Sequence, residues 1–523
     1  MIDALKRIGM RQGGLYSGGL WRAAAIASAA LLLWGLSLPC LAQTEPQPPK
    51  LNVLLITVDD LRPELGCYGV DAIQTPHIDR LARRGMVFTR AYAQMALCNP
   101  SRASMLTGLR PDTLKVWDLQ THFRQNRPDL VTLPQLFMAH GYTSVHVGKI
   151  FHDTLPDPSS WTLPEPKIPV TYHYLDPETR KRHWERSAAA RRLGKGQPWV
   201  DAVLRGTATE CMDAADNQYR DGSATDAAIR LLKELKSRGP FFLAMGYQKP
   251  HLPFVAPKKY WDLYDRARIP LAENNYLPEN APIFAMNTHR ELACYEDFVG
   301  VLRPTEGSLS EDEARLLKHG YYACVSYVDA QIGRLLDTLQ KLGLADNTIV
   351  VLVGDHGWKL GEHNSWGKQT NYELDTHAPL IVFAPGAEGN GKSCSALVEY
   401  MDIYPTLCEL VGWELPHQLE GTSMVPLLRN PEIPWKYAAF SQIQRGFMGR
   451  FMGRAIRTDR YRYVEWRDWF DNRLIDAELY DHQTDPQENI NLSRRSESQE
   501  LMQRLSRQLW QGWWAARPLI RER

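Results

Sequence analysis

The chain predicts an α/β fold, a large, mostly parallel sheet sandwiched by helices, followed by a smaller C-terminal α+β subdomain containing an antiparallel sheet. Two patterns predict it. Nearly continuous apolar runs, as in strands buried on both faces, alternate with amphipathic segments bearing helix caps. From about Trp435 the runs shorten and alternate with polar residues, as in strands with one covered face.

After a Pro-rich leader over Thr44–Lys50, the first buried strand is Leu51–Val58, which stops at Asp59-Asp60. Thr75-Pro76 supplies an N-cap and first-turn proline for a helix that turns Ile78, Leu81 and Ala82 inward and stops at Gly85. Thr132 and Gln135 form a capping box for a helix ending at Gly141, and Thr143–Val147 follows as a strand. Asp226–Leu235 reads as a helix with Ile229, Leu232 and Leu235 inward, before Gly239-Pro240 and the strand Phe241–Met245. A helix near Val325–Leu342 ends at Gly343 and leads into the strand Thr348–Val353, and Leu380–Ala384 is a further strand. In the tail, Tyr461–Val464 and Glu478–Tyr480 read as strands, Asp485-Pro486 as a turn and Glu497–Trp514 as a helix. The polar, Pro-punctuated stretch between Asp157 and Asn217 carries His173, His183, Trp184 and Trp199. It reads either as an insertion over the active face or as a surface excursion without function.

With 523 residues, 44% hydrophobic and 23% charged, the chain can bury a large core. Basic and acidic residues number 61 and 60, so the total charge predicts no polyanion-wrapping surface and no nucleic-acid partner. Lys6, Arg7, Arg11 and Arg22 precede the apolar run Ala23–Leu38, and Ala42 closes the segment before Gln43, as in a secretory signal peptide over residues 1–42. An uncleaved anchor is disfavoured by the short run broken at Gly35 and Pro39, and a lipoprotein at Cys40 by Pro39 beside it. The mature chain is therefore expected to be secreted or periplasmic without a stable membrane span, with a main domain over 43–434 and a subdomain over 435–523. Seven cysteines remain after the signal, an odd number, so one is a stray thiol or is withdrawn for chemistry. The spacing of the others shows no pairing.

Asp59-Asp60, Gly148-Lys149, Lys249-Pro250-His251 and Asp355-His356 each follow the carboxyl end of a predicted strand. In open α/β sheets the ligand crevice lies outside those ends, so four segments should deliver carboxylate, lysine and histidine to one rim. A single Asp after a strand can simply cap a helix. Adjacent acids behind an apolar strand repel unless a cation sits between them, which favours a metal.

Cys98-Asn99-Pro100-Ser101-Arg102 is the most informative segment. Asn99 can N-cap and Pro100 can occupy the first turn, so Cys98 should stand at the mouth of a helix whose free N–H groups favour an anion, with Arg102 about one turn in. The plain alternative is a buried small hydrophobe beside a capped helix.

With Thr107-Gly108 four residues after Ala103, this segment resembles the signature of the type I sulfatases, of the alkaline phosphatase superfamily, without a departure. The resemblance runs from the strand before Asp59 to about Asp485 and implies the sulfatase-like α/β fold. Within that family Gly354-Asp355-His356-Gly357-Trp358, Gly148-Lys149-Ile150-Phe151-His152, Lys249-Pro250-His251-Leu252-Pro253-Phe254 and Gly361-Glu362-His363 with Trp366-Gly367-Lys368 are similar to the iduronate-2-sulfatase-like branch.

The resemblance implies that a separate maturation enzyme oxidises Cys98 to Cα-formylglycine, whose hydrate attacks sulfur with one oxygen and releases sulfate through the second hydroxyl. It implies a calcium ion held by Asp59, Asp60, Asp355, His356 and the modified Cys98. Three carboxylates suit a hard cation, although histidine is unusual for calcium. It also implies that Arg102, Lys149 and Lys368 neutralise sulfate oxygens or orient the hydrate, that His152 bonds the hydrate, and that His251 protonates the leaving alcohol. Lys149, His251, Lys368 and Trp358 are the candidate substrate contacts. His363 is expected to brace the loop carrying Lys368, His377 to be structural or at the pocket rim, and Asp402–Thr406 to start a helix on which Tyr404 packs.

The reading is an exported sulfuric ester hydrolase acting on a sulfated carbohydrate, with 2-O-sulfate on a uronate as the expected group. Two alternatives stay open: a phosphodiesterase or phosphonate hydrolase of the same superfamily, and a non-catalytic sulfated-glycan-binding protein.

Overall fold

The computed structural model describes residues 50–192, 205–446 and 449–518. The expected export signal over 1–42, with Cys40, and Trp199 lie outside the described residues.

The first strand, β1 (Asn52–Val58), is buried at every position. It is followed by α1 (Pro76–Arg84), β2 (Met86–Phe88), α2 (Cys98–Thr107), α3 (Leu133–Ala139), β3 (Thr143–Gly148), α4 (Arg220–Leu235), β4 (Phe241–Tyr247), α5 (Glu311–Lys341), β5 (Thr348–Gly354), β6 (Leu380–Phe383) and β7 (Ser393–Cys394). One sheet takes the order β7-β2-β6-β5-β1-β4-β3. β1 pairs in parallel with β4 and β5, β4 with β3, and β7 with β2. The sheet is thus largely parallel as expected, with antiparallel pairings where β6 joins β5 and β2.

Alternation along β1 explains the sandwich. Leu54, Ile56 and Val58 point into a core shared with α1, α4 and α5, while Val53 and Leu55 point into a second core shared with α2 and α3. Each such side chain contributes about 1.5–3 kcal/mol when fully buried.

Three helices differ in detail from their sequence patterns. Thr75 makes no cap bond within α1; the carboxylate of Asp329 on α5 instead accepts from the backbone N–H groups of His77 and Ile78, the latter at 2.7 Å. α5 begins at a Ser310–Glu313 capping box, well before Val325, because its charged first turns hide the apolar period. α4 begins at Arg220 rather than Asp226, and its Asp221 accepts from the backbone N–H groups of Gln248 and Lys249 at the end of β4.

The tail folds as a four-stranded antiparallel sheet of β8 (Ala438–Arg445), β9 (Phe451–Thr458), β10 (Tyr461–Asp468) and β11 (Leu474–Asp481), followed by α6 (Gln499–Ala516). Ile456, Tyr463 and Leu479 pack on Leu505 and Leu509 of α6. The other face, with Ile443, Val464 and Trp466, packs on Met95 and Leu97, just before Cys98, and on Tyr372. Among the described residues no helix is long and apolar enough to cross a membrane.

Candidate active site

β1 and β5 end side by side, which brings Asp59-Asp60 and Asp355-His356 together. The backbone N–H of Asp60 donates to the Asp355 carboxylate at 3.1 Å, with Asp60 at φ 59°. All four side chains are at most 1% exposed. α2 meets them from the second core: Cys98 Sγ lies 3.5 Å from Asp59 Oδ1 and 3.3 Å from His356 Nε2.

Cys98 is the first helical residue and Leu97 precedes it as N-cap. Asn99 does not cap. Its carboxamide donates to the Asp118 and Thr121 carbonyls, tying the following loop to the helix mouth. One turn on, Arg102 is fully buried; Nε donates to Asp355 Oδ2 at 2.8 Å and Nη1 to the carbonyls of Lys149 and Ile150 at 2.5 and 3.1 Å. Its Nη2 lies 3.5 Å from Asp59 Oδ1. The Ser101 hydroxyl donates to the Asp355 carbonyl, so two consecutive residues of α2 pin the end of β5.

Lys149 arrives from β3 through Gly148, at φ +79°, where an added Cβ would stand 2.1 Å from the Gly246 carbonyl oxygen. Only glycine permits that approach. Lys149 Nζ pairs with Asp59 Oδ2. Lys368, from the loop after β5, pairs with Asp60 Oδ1 at 2.6 Å. His251, after β4, places Nε2 3.9 Å from Asp60 Oδ2 and 2.9 Å from Glu291 Oε1. Lys249 turns away and donates to the carbonyls of His251 and Pro253. His152 sits near Lys149, but its Nδ1 is 2.9 Å from Thr154 Oγ1, and no contact joins it to Cys98.

Burial alone would push all the carboxyls up, yet Lys149, His251, Arg102 and Lys368 outweigh it and hold Asp59 well below its ordinary range. Asp60 goes the other way, pushed up by burial and by Asp59 beside it despite Lys368. Burial and Asp59 push the Cys98 thiol well above its ordinary range, so as a thiol it is neutral and a poor nucleophile. Burial and Lys149 push His152 down to about 4.

One ligand atom each from Asp59, Cys98, Asp355 and His356 lies within 4.8 Å of the others, and Asp60, Cys98 and His251 form an overlapping group. Asp60 Oδ2 is buried without a hydrogen-bond partner. Three carboxylates beside a histidine, one of them with a buried oxygen that makes no hydrogen bond, fit a divalent cation. Among the described residues a further group, Glu373, His482 and Glu488, is instead paired with Arg457 and Arg462.

The structure brings together Asp59, Asp60, Cys98, Arg102, Lys149, His251, Asp355, His356 and Lys368, with His152 in the next layer. Trp358 is a correction. It is fully buried, with its ring against Phe254 and the Lys368 ammonium 5.1 Å from its centroid, so it supports Lys368 and presents no face to a sugar. His363 meets the Tyr372 ring edge-on in the interior, and the partly buried His377 lies tilted against Tyr92. Tyr404 packs in the second core and donates to the Val131 carbonyl. Of the stretch between Asp157 and Asn217, Arg205 reaches this region, with Nη1 3.9 Å from Glu291. Glu291 escaped the sequence reading because its loop carries neither periodicity nor a strand end.

The sulfatase family profile matches residues 51–413, and that of the N-sulphoglucosamine sulphohydrolase C-terminal region matches 361–513. Iduronate 2-sulfatase of Homo sapiens is 32% identical over 93% of this chain and 98% of its own length. A protein solved in complex with its substrate D-glucosamine-2-N,6-O-disulfate superposes with a TM-score of 0.68 at 23% identity, covering 88% of this chain and 97% of that one. The phosphonate monoester hydrolase of Agrobacterium radiobacter gives 0.66 at 24% identity, covering 89% and 96%, a likeness of fold. Taken with a signature cysteine set between strand-end carboxylates and three buried cations, these matches place the chain in the sulfatase family, as a sulfuric ester hydrolase.

Proposed function

We propose that this protein is an exported sulfatase that removes O-sulfate, chiefly 2-O-sulfate on a uronate, from sulfated glycans, using a formylglycine made from Cys98 by a maturation enzyme. The observation that carries it is the position of Cys98 Sγ, within 3.5 Å of both Asp59 and His356 and ringed by Arg102, Lys149 and Lys368. The substrate class is supported by similarity to human iduronate 2-sulfatase over 93% of the chain.

Asp59, Asp60, Asp355, His356 and the modified Cys98 would hold calcium. When bound, that dication offsets the negative charge of the ester oxygens, and the aldehyde hydrate supplies the attacking oxygen and a second hydroxyl for sulfate release. The chain's own residues do the rest. Arg102 fixes α2 against β5 so that residue 98 cannot drift from the carboxylates. Lys149 and Lys368, held ionised by Asp59 and Asp60, stabilise charge on the sulfate oxygens in a site with little water. His251, 15% exposed, stands at the open side where the alcohol departs and donates the proton it needs. His152 stays in the neighbouring layer beside Lys149, with Nδ1 2.9 Å from Thr154 Oγ1.

The test is a screen of defined sulfated disaccharides with matured, calcium-loaded protein, alongside Cys98→Ala. Preferred cleavage of 2-O-sulfated uronate and loss of at least about 10³-fold in kcat/KM in the variant are expected. Equal activity on all regioisomers would remove the uronate assignment, faster turnover of phosphonate or phosphate diesters would replace the sulfatase reading, and glycan retention without cleavage would make the protein a binding module.

A further inference from the structure

The stretch between Asp157 and Asn217 carries a helix, Pro177–Arg192, with six basic residues against two acidic ones. Its spacing gives it two faces. Thr179, Arg182, His183 and Arg186 follow one another at three- and four-residue steps and turn inward. Arg182 donates to both carboxylate oxygens of Glu296, at 3.0 and 3.2 Å, and Arg186 pairs with the same carboxylate. His183 lies against the buried Tyr174, with 5.3 Å between ring centroids. Arg180, Lys181 and Trp184 share the opposite face. There Trp184 is 65% exposed, Lys181 is exposed, and the Arg180 guanidinium lies 4.5 Å from the ring centroid of Tyr172, itself 36% exposed. The inner face leads to the open side of the active site: Arg186 Nη1 donates to the Arg205 carbonyl at 2.9 Å, Arg205 Nη1 stands 3.9 Å from Glu291, and Glu291 is 2.9 Å from His251 Nε2. The outer face therefore lies about one helix diameter, 10 Å, beyond Arg205, a gap that a few sugar units cover.

We propose that the outer face of this helix, with Tyr172, docks the sulfated glycan chain beyond the sugar that is cleaved. This rests on the sulfatase reading. Trp184 and Tyr172 take the apolar C–H faces of sugar rings, and Arg180 and Lys181 pair with sulfate groups. Charge names the occupant. With Glu296 counted, the helix keeps an excess of three positive charges, which a polyanionic chain answers and a neutral glycan does not. None of these four side chains touches the residues around Cys98, so the contribution appears only on a substrate long enough to reach them.

The dependence on chain length tests this. In matured full-length protein, kcat/KM is measured on a sulfated uronate disaccharide and on a sulfated octasaccharide that ends in the same disaccharide. The wild type is expected to favour the octasaccharide by about 10-fold, an advantage carried by KM that shrinks as salt rises. Lys181→Glu combined with Trp184→Ala should lose that advantage while its disaccharide turnover stays within about 2-fold of wild type. Lys181→Arg, which keeps the charge, should keep the advantage, and Trp184→Ala alone should lose part of it, which serves if the double variant folds poorly. A wild type indifferent to chain length, a variant that keeps the advantage, or a variant that loses equally on both substrates would overturn the docking face, while wild-type cleavage of the disaccharide leaves the sulfatase reading standing. A wild-type protein that cleaves neither substrate would remove that reading and this face with it.

Discussion

The backbone N–H of Asp60 reaches the carboxylate of Asp355 at 3.1 Å although 295 residues separate them. The contact joins the ends of two neighbouring parallel strands and gathers like charges in a buried place. A divalent ion binding there and not to the unfolded chain adds stability, about 2.7 kcal/mol at a free concentration 100 times Kd. Chelation is expected to lower Tm and abolish turnover, with calcium restoring both. A Tm indifferent to calcium would mean that these carboxylates hold no ion.

Arg102 spans Asp355 and the carbonyls of Lys149 and Ile150 with a rigid fork. A lysine offers one point charge and cannot meet all of them. Arg102→Lys is expected to lose about 3–5 kcal/mol in denaturant unfolding and about 10²-fold in kcat/KM. Wild-type stability in the variant would show that the fork is dispensable.

Gly148 and Gly141 both have positive φ, but only at Gly148 would a Cβ meet backbone, 2.1 Å from the Gly246 oxygen. Gly141→Ala should cost only the conformational strain, about 1–2 kcal/mol. Gly148→Ala should cost more, by about 1–3 kcal/mol, and displace Lys149, lowering kcat. Equal Tm changes would contradict the close approach as the cause.

Asp329, 2% exposed, caps α1, and burial pushes its carboxyl up to about 7 despite the Ile78 and His77 N–H groups. The folded state then binds a proton that the unfolded chain, with its carboxyl near 3.8, releases. Stability from this group is present below pH 4 and is lost as pH rises toward 7. Asp329→Asn keeps an acceptor and cannot titrate. Its Tm relative to wild type should rise between pH 4 and pH 7 and level off above. A difference independent of pH would remove the titration.

The metal-capable cluster was legible because β1 and β5 are nearly continuous apolar runs, so Asp59 and Asp355 mark strand ends by contrast alone. Lys149 was legible through its glycine, and Cys98 with Arg102 through their spacing on a helix. Trp358 misled because nearness along the chain says nothing of side-chain direction: it lies three residues after Asp355 yet turns into the core under Lys368. Glu291 and the Asp329 cap were beyond reach because each meets its partners only after distant segments pack. The antiparallel β6 was hidden too, since a buried strand reads alike in either direction.

Cys98 is 3% exposed and every residue of its helix is buried. A second protein that alters this side chain must therefore grip the segment while it is still extended, before the sheet ends shut around it. On the proposed maturation the window is one of timing: a thiol that survived folding would stay a thiol, and activity would record how synthesis and chain closure raced.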